Sequence, residues 1–345
     1  MLSVLANWPV QPEEIEIIRE SWPAECEVVL ASQHSKTDVL ARAGEFNVIA
    51  GQLQVELLRD AHRLQLMHVL GHGIDRLGEG EVADILRARA VPIARANPAA
   101  ITISEFVLMS LIALNRRLIQ VHEALAYRGD WSQDLLPGRL RGSLGGELHG
   151  TTLCVAGLGS IGQAIAERAK AFGMRVGALT RQPEKYDAAE LGLDFVGAID
   201  HPEPWLAQAQ HLVVALPLNE GTRNFLNASR IEIMPRGAFL VNIGRAAMVD
   251  QSAMHAALAS GQLAGAAIDV WPNEADKTYP SPQPIHHFNV IMTPHSCAIT
   301  RESRVRALQA VGENIRRLQR GAPVLNASSV DGEPLPRTAT PGEAK

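Results

Sequence analysis

The stretch Thr151-Thr-Leu-Cys-Val-Ala-Gly157-Leu-Gly159-Ser160-Ile161-Gly162 decides how this chain is read. Residues 152–156 form a short apolar run that predicts a strand, and residues 161–172 predict an amphipathic helix. Between them stands Gly-x-Gly-x-x-Gly. The first glycine permits a tight turn, the second lets a pyrophosphate approach the backbone, and the third lets the helix pack closely on the strand. The helix N-terminus then meets the anion. The motif alone is weak evidence. Between a strand and a helix, inside a continuing βα series, it points to a dinucleotide.

Working outward, further strands are predicted at residues 175–179, 211–215, 238–242, 265–269 and 290–292. Upstream, strands at 2–6, 27–30, 47–50, 66–69 and 92–94 alternate with helices at 13–20 and 81–89. Alternation of this kind predicts a second parallel sheet covered by helices. A single long helix is expected at 104–127, apolar nearly all round, so it should connect domains or fill a subunit interface. Residues 128–150 read as a polar, glycine-rich excursion. A final amphipathic helix is expected at 301–320, and a loosely ordered tail at 327–345.

The chain of 345 residues exceeds the usual size of one core. A net charge of -5, with Lys and Arg scattered, gives no electrostatic footprint for nucleic acid. The longest apolar stretch falls short of the ~20 residues that span a membrane. Cys26, Cys154 and Cys297 are odd in number, far apart and without metal spacing, which suits a reducing, cytoplasmic setting. His286 and His287 are adjacent, and His68 and His72 flank a strand end; both pairs read as poor metal ligands, and no metal is expected.

An NAD site ordinarily carries an acidic residue about 20 positions beyond the glycines, at the end of the second strand. Here Thr180-Arg181 stands there. A guanidinium suits a 2′-phosphate and predicts a preference for NADP(H), with NAD(H) still accepted. The plainer alternative leaves Arg181 as a solvated loop residue.

Three later segments join the glycine turn: Val241-Asn-Ile-Gly-Arg245, Ala267-Ile-Asp269-Val-Trp-Pro-Asn-Glu274 and Thr293-Pro-His295. In this order, and with Gly71-His72-Gly73-Ile-Asp75, Leu216-Pro217 and Thr222-Arg223, the chain resembles the D-isomer-specific 2-hydroxyacid dehydrogenase family from about residue 66 to 321. The resemblance implies an α/β fold of two domains, a Rossmann nucleotide-binding domain inserted into a flavodoxin-like substrate domain. Residues 100–296 would form the first, and 1–99 with 297–326 the second. It implies a homodimer and a small 2-oxo or 2-hydroxy acid as substrate, with glyoxylate or hydroxypyruvate favoured.

The family pattern makes Arg245, Glu274 and His295 the catalytic set. Reduction of a 2-oxo acid needs a proton donor for the carbonyl oxygen, a role for His295. Glu274 would orient and charge the imidazole, and Arg245 would grip the substrate carboxylate. The resemblance also places His72 and Gly73 on the substrate. Gly157, Gly159, Ser160, Ile161, Gly162, Thr180, Arg181, Pro217, Thr222 and Asp269 would lie along the cofactor. His72 stands where the family carries a small residue, and reads equally as a pocket group or a solvent-facing one. Asp269 reads equally as a nicotinamide contact or a strand-end structural residue. Ala246 and Ala275 depart from the family's glycine and proline. A phosphite-type dehydrogenase and a nucleotide-sensing corepressor-like scaffold share these motifs and stay open as alternatives.

Overall fold

The computed structural model describes residues 1–71, 77, 80–131, 145–272, 274 and 284–331. The chain divides into two compact units, residues 1–99 with 299–345, and residues 100–298. The second is therefore inserted in the first.

In the first unit, strands β1 (Ser3–Asn7), β2 (Glu27–Leu30), β3 (Val48–Gly51), β4 (Leu66–Val69) and β5 (Ile93–Arg95) alternate with helices α1 (Pro12–Ser21), α2 (Lys36–Ala41), α3 (Val55–Asp60) and α4 (Gly80–Ala88). The strands lie parallel in the order β5-β4-β3-β1-β2. Both faces are covered: Leu5, Ile49 and Met67 pack on one side, and Val4, Ala6, Val48 and Leu66 on the other. Strands buried on both faces explain why these runs are apolar without alternation.

The second unit begins with α5 (Ala100–Asn115) and α6 (Leu118–Arg128). One unbroken helix was the expectation; instead the chain breaks at Arg117, whose φ of 50° leaves the helical region. Seven parallel strands follow: β6 (Thr152–Ala156), β7 (Arg175–Thr180), β8 (Phe195–Ala198), β9 (His211–Val214), β10 (Ala238–Asn242), β11 (Leu263–Ile268) and β12 (Val290–Met292). Helices α7 (Ser160–Ala171), α8 (Glu203–Leu206), α9 (Ala228–Ile233) and α10 (Gln251–Ser260) lie between them. The order β8-β7-β6-β9-β10-β11-β12 reverses direction between β6 and β9, the crevice where doubly wound sheets bind ligands.

Helix α11 (Arg301–Gln319) returns to the first unit and packs on α1. The indole of Trp22 donates to the carbonyl of Leu308 at 2.9 Å. Beyond it, β13 (Ala327–Ser328) pairs antiparallel with β5. The start of the segment expected to be a loose tail is thus an edge strand, because β5 leaves its outer hydrogen-bonding edge open to it. Among the described residues no helix is long and apolar enough to cross a membrane.

His68 is fully buried on β4, where burial lowers its pKa to about 4. The neutral ring accepts from Asn314 Nδ2 at Nε2 (3.0 Å), and Nδ1 faces the Val69 carbonyl. It is a structural tie between β4 and α11.

Candidate active site

The glycine turn is built by sterics. Gly157 has φ 111°, and a side chain there would lie 2.6 Å from the Ala215 carbonyl. A Cβ on Gly162 would meet the Gly157 carbonyl at 1.9 Å. Both glycines are demanded by the fold itself. Gly159 differs: its φ is -78° and a Cβ would meet open space. Nothing among the described residues requires glycine there, whereas a pyrophosphate lying on the backbone would. Gly159 and Ser160 are exposed, and the first-turn amides of α7 have no acceptor within the helix. The residues therefore fit a dinucleotide.

β7 ends at half-buried Thr180, and Arg181 follows, exposed. Pro217 is exposed just past β9. Thr222 is not: it is 2% exposed, and its hydroxyl donates to the Pro217 carbonyl (2.7 Å) while accepting from the Asn219 amide (2.8 Å). Its side chain closes the turn behind Pro217.

Three strand ends carry the candidate reactive groups. Past β10, Gly244 N–H bonds to Asn242 Oδ1, and Arg245 Nη1 donates to the Gly244 carbonyl at 2.8 Å. Ala246 opens a short 3-10 turn with no backbone need for glycine. Past β11 comes Glu274, and past β12 His295. His295 Nδ1 lies 2.9 Å from Glu274 Oε2, while Glu274 Oε1 accepts from the Trp271 amide at 2.7 Å. Burial works to raise the Glu274 pKa, but the Trp271 amide, the His295 hydrogen bond and the charges of His295 and Arg245 outweigh it, and the carboxyl sits below its ordinary value.

Asp269 is fully buried at the end of β11. Its Oδ1 accepts from Thr293 Oγ1 (2.6 Å), the Ser296 amide (2.8 Å) and the Cys297 amide (3.2 Å), and Oδ2 also faces the Cys297 amide. The carboxylate anchors the histidine loop, which fits the structural one of its two readings from sequence. The same anchor accounts for His295 at φ 55°, an uncommon conformation for a side-chain-bearing residue. Neither that conformation nor the part played by Trp271 was foreseen; a tryptophan three residues past the end of β11 was the available signal.

The expected substrate contacts His72 and Gly73, and Ala275, lie outside the described residues. Among the described residues no group of three His, Cys, Asp or Glu side chains can hold a metal.

Residues 108–297 match the sequence profile of the D-isomer specific 2-hydroxyacid dehydrogenase, NAD binding domain. Across 320 residues the chain is 30% identical to glyoxylate reductase of Aeropyrum pernix, covering 90% of this chain and 91% of that one. It is 28% identical over 325 residues to D-3-phosphoglycerate dehydrogenase of Methanocaldococcus jannaschii, covering 93% of this chain and only 58% of that relative's length. Among solved structures it is similar to a D-isomer specific 2-hydroxyacid dehydrogenase of Xanthobacter autotrophicus in complex with NADPH. That similarity has a TM-score of 0.74 at 26% identity, over 95% of this chain and 98% of the other.

Proposed function

We infer the function from one premise: this chain belongs to the D-isomer-specific 2-hydroxyacid dehydrogenase family, and is an NAD(P)-dependent oxidoreductase acting on CH–OH donors. Beyond that, we propose a reductase of a small 2-oxo acid, glyoxylate or hydroxypyruvate, that uses NADPH in preference to NADH. The His295 Nδ1–Glu274 Oε2 contact at 2.9 Å carries this reading. With Nδ1 committed to the carboxylate, Nε2 is the nitrogen that faces chemistry.

Arg245 holds the substrate carboxylate and polarises the neighbouring carbonyl. The nicotinamide, when bound, supplies a hydride to the carbonyl carbon. His295, its Nδ1 held by Glu274, gives its Nε2 proton to the carbonyl oxygen, and the product is the 2-hydroxy acid. The ring is then neutral and regains a proton from solvent. Oxidation runs the same path backward.

Gly157, Gly159, Ser160, Ile161 and Gly162 would cradle the pyrophosphate, with Pro217 beside it, while Thr180 and Arg181 take the ribose end. Arg181 supports NADPH because a guanidinium pairs with a 2′-phosphate that a carboxylate would repel. Support for a homodimer comes from α5 and α6, which expose Met109, Ile112, Leu118, Ile119 and Leu125. An apolar surface of that extent suits a second copy of the chain, and light scattering reads the mass directly. Cytoplasmic placement rests on three free cysteines.

A panel of 2-oxo acids assayed with NADPH and NADH side by side tests the substrate. Highest kcat/KM on glyoxylate or hydroxypyruvate supports the proposal; a clear optimum on a larger acid, or activity on none, contradicts it.

A further inference from the structure

Trp271 stands between the two halves of the proposed acid–base pair and touches neither side chain through a charge. Its backbone amide donates to Glu274 Oε1 at 2.7 Å. Its indole Nε1 donates to the Thr293 carbonyl at 2.8 Å. That same carbonyl accepts the backbone N–H of His295 at 3.1 Å. One residue therefore lies a single hydrogen bond from the Glu274 carboxylate and from the peptide group on which His295 is hung. Trp271 is 6% exposed within the main core of its unit, so its ring has a fixed place.

We propose that Trp271 is a positioning residue that holds the Glu274 loop and the His295 loop at the spacing that keeps carboxylate and imidazole in contact. The proposal rests on the acid–base reading of that pair. The need for such a brace follows from the backbone: His295 lies at φ 55°, and a non-glycine residue stays there only when its surroundings over-determine it. Asp269 fixes the loop from behind through Thr293, Ser296 and Cys297. Trp271 ties it sideways to Glu274. Among the described residues, Arg245 acts on Glu274 through its charge, and the Asp269 carboxylate accepts from the loop behind His295.

Trp271→Phe keeps the backbone bond to Glu274 and a buried aromatic ring, and deletes the indole bond. Loss of one neutral hydrogen bond predicts a fall in kcat of roughly three- to ten-fold, with KM for the oxo acid and for NADPH nearly unchanged. The alkaline limb of the pH–rate profile should move toward that of Glu274→Gln. Because Trp271 acts through the pair, Trp271→Phe added to Glu274→Gln should cost little more than Glu274→Gln alone. Multiplicative losses in the double variant, or a change confined to KM, overturn the proposal while leaving the acid–base reading intact. An unaltered Glu274→Gln enzyme removes both. If Trp271→Phe does not fold, the wild-type holoenzyme decides by NMR. The amide and indole N–H resonances of Trp271, assigned sequentially, should titrate with one shared midpoint, that of the rate profile. Resonances that stay still across that range overturn the brace.

Discussion

Glu274 turns one carboxylate oxygen to His295 Nδ1 and the other to the amide of Trp271, so the imidazole meets a carboxylate that cannot rotate away. The ionised oxygen at 2.9 Å accepts the Nδ1 proton and fixes the ring's orientation. The same neighbours hold the Glu274 pKa below its usual value, so the carboxylate is ionised throughout the neutral range. Glu274→Gln should keep the fold and remove that charge. Reduction draws on the protonated ring, so its rate should fade at lower pH than in wild type. Oxidation draws on the neutral ring and should persist to lower pH. The pH dependence of kcat in both directions checks this, and coincident profiles would disconnect Glu274 from His295.

Gly159 and Gly162 should part company on substitution. Gly162→Ala forces a methyl to within 1.9 Å of a backbone carbonyl, so the nucleotide-binding unit should lose several kcal/mol or fail to fold. Gly159→Ala meets open space and an ordinary φ, so its Tm should stay within a few degrees. NADPH affinity should nevertheless fall at least about ten-fold, since the methyl would stand where the pyrophosphate is proposed to lie. Calorimetry for stability and fluorescence titration for binding separate the two outcomes.

Arg181 gives the cofactor preference a direct test. A charge-assisted hydrogen bond is worth about 1.5–3 kcal/mol, roughly one to two decades in affinity. Arg181→Ala should weaken NADPH by that factor and leave NADH nearly unchanged, as read from kcat/KM with each. Equal effects on both cofactors would make Arg181 a loop residue only.

Two buried histidines predict acid sensitivity. Burial lowers both His68 and His211 to about 4. In the unfolded chain each titrates near 6.5, so between these values the unfolded state binds more protons and stability falls as pH drops. The full contribution is present above about 6.5, is lost on the way down to about 4, and is worth about 3 kcal/mol per histidine. His211 stacks on Phe239, and its buried Nδ1 has no hydrogen-bond partner among the described residues, so His211→Phe removes no bond there. That variant should match or exceed wild-type Tm at pH 7 and lose less Tm than wild type between pH 7 and pH 5.

Much of this architecture is legible in the sequence because parallel strands buried on both faces are written as short apolar runs, and the glycine turn fixes where the nucleotide unit starts. β8 escapes such reading: its sequence, Phe195-Val-Gly-Ala, is short, and Gly197 is there because a side chain would strike the Trp205 indole. The break at Arg117 is hidden because apolar residues continue on both sides of it. Arg245, Glu274 and His295, the proposed catalytic set, stand out because each follows a strand end. The bonds that align them depend on register instead. Ile268 of β11 pairs with Met292 of β12, and only that pairing brings Asp269 and Trp271 to Thr293. No local pattern in the sequence specifies it.

Single-turnover reduction of glyoxylate by NADPH, in wild type and in His295→Ala, tests the central claim most directly. General acid catalysis is worth about 10²–10⁴ in rate, so the variant should slow by at least a hundred-fold while binding NADPH as tightly as wild type. A folded His295→Ala enzyme that transfers hydride at the wild-type rate would contradict the assignment of His295 as the proton donor.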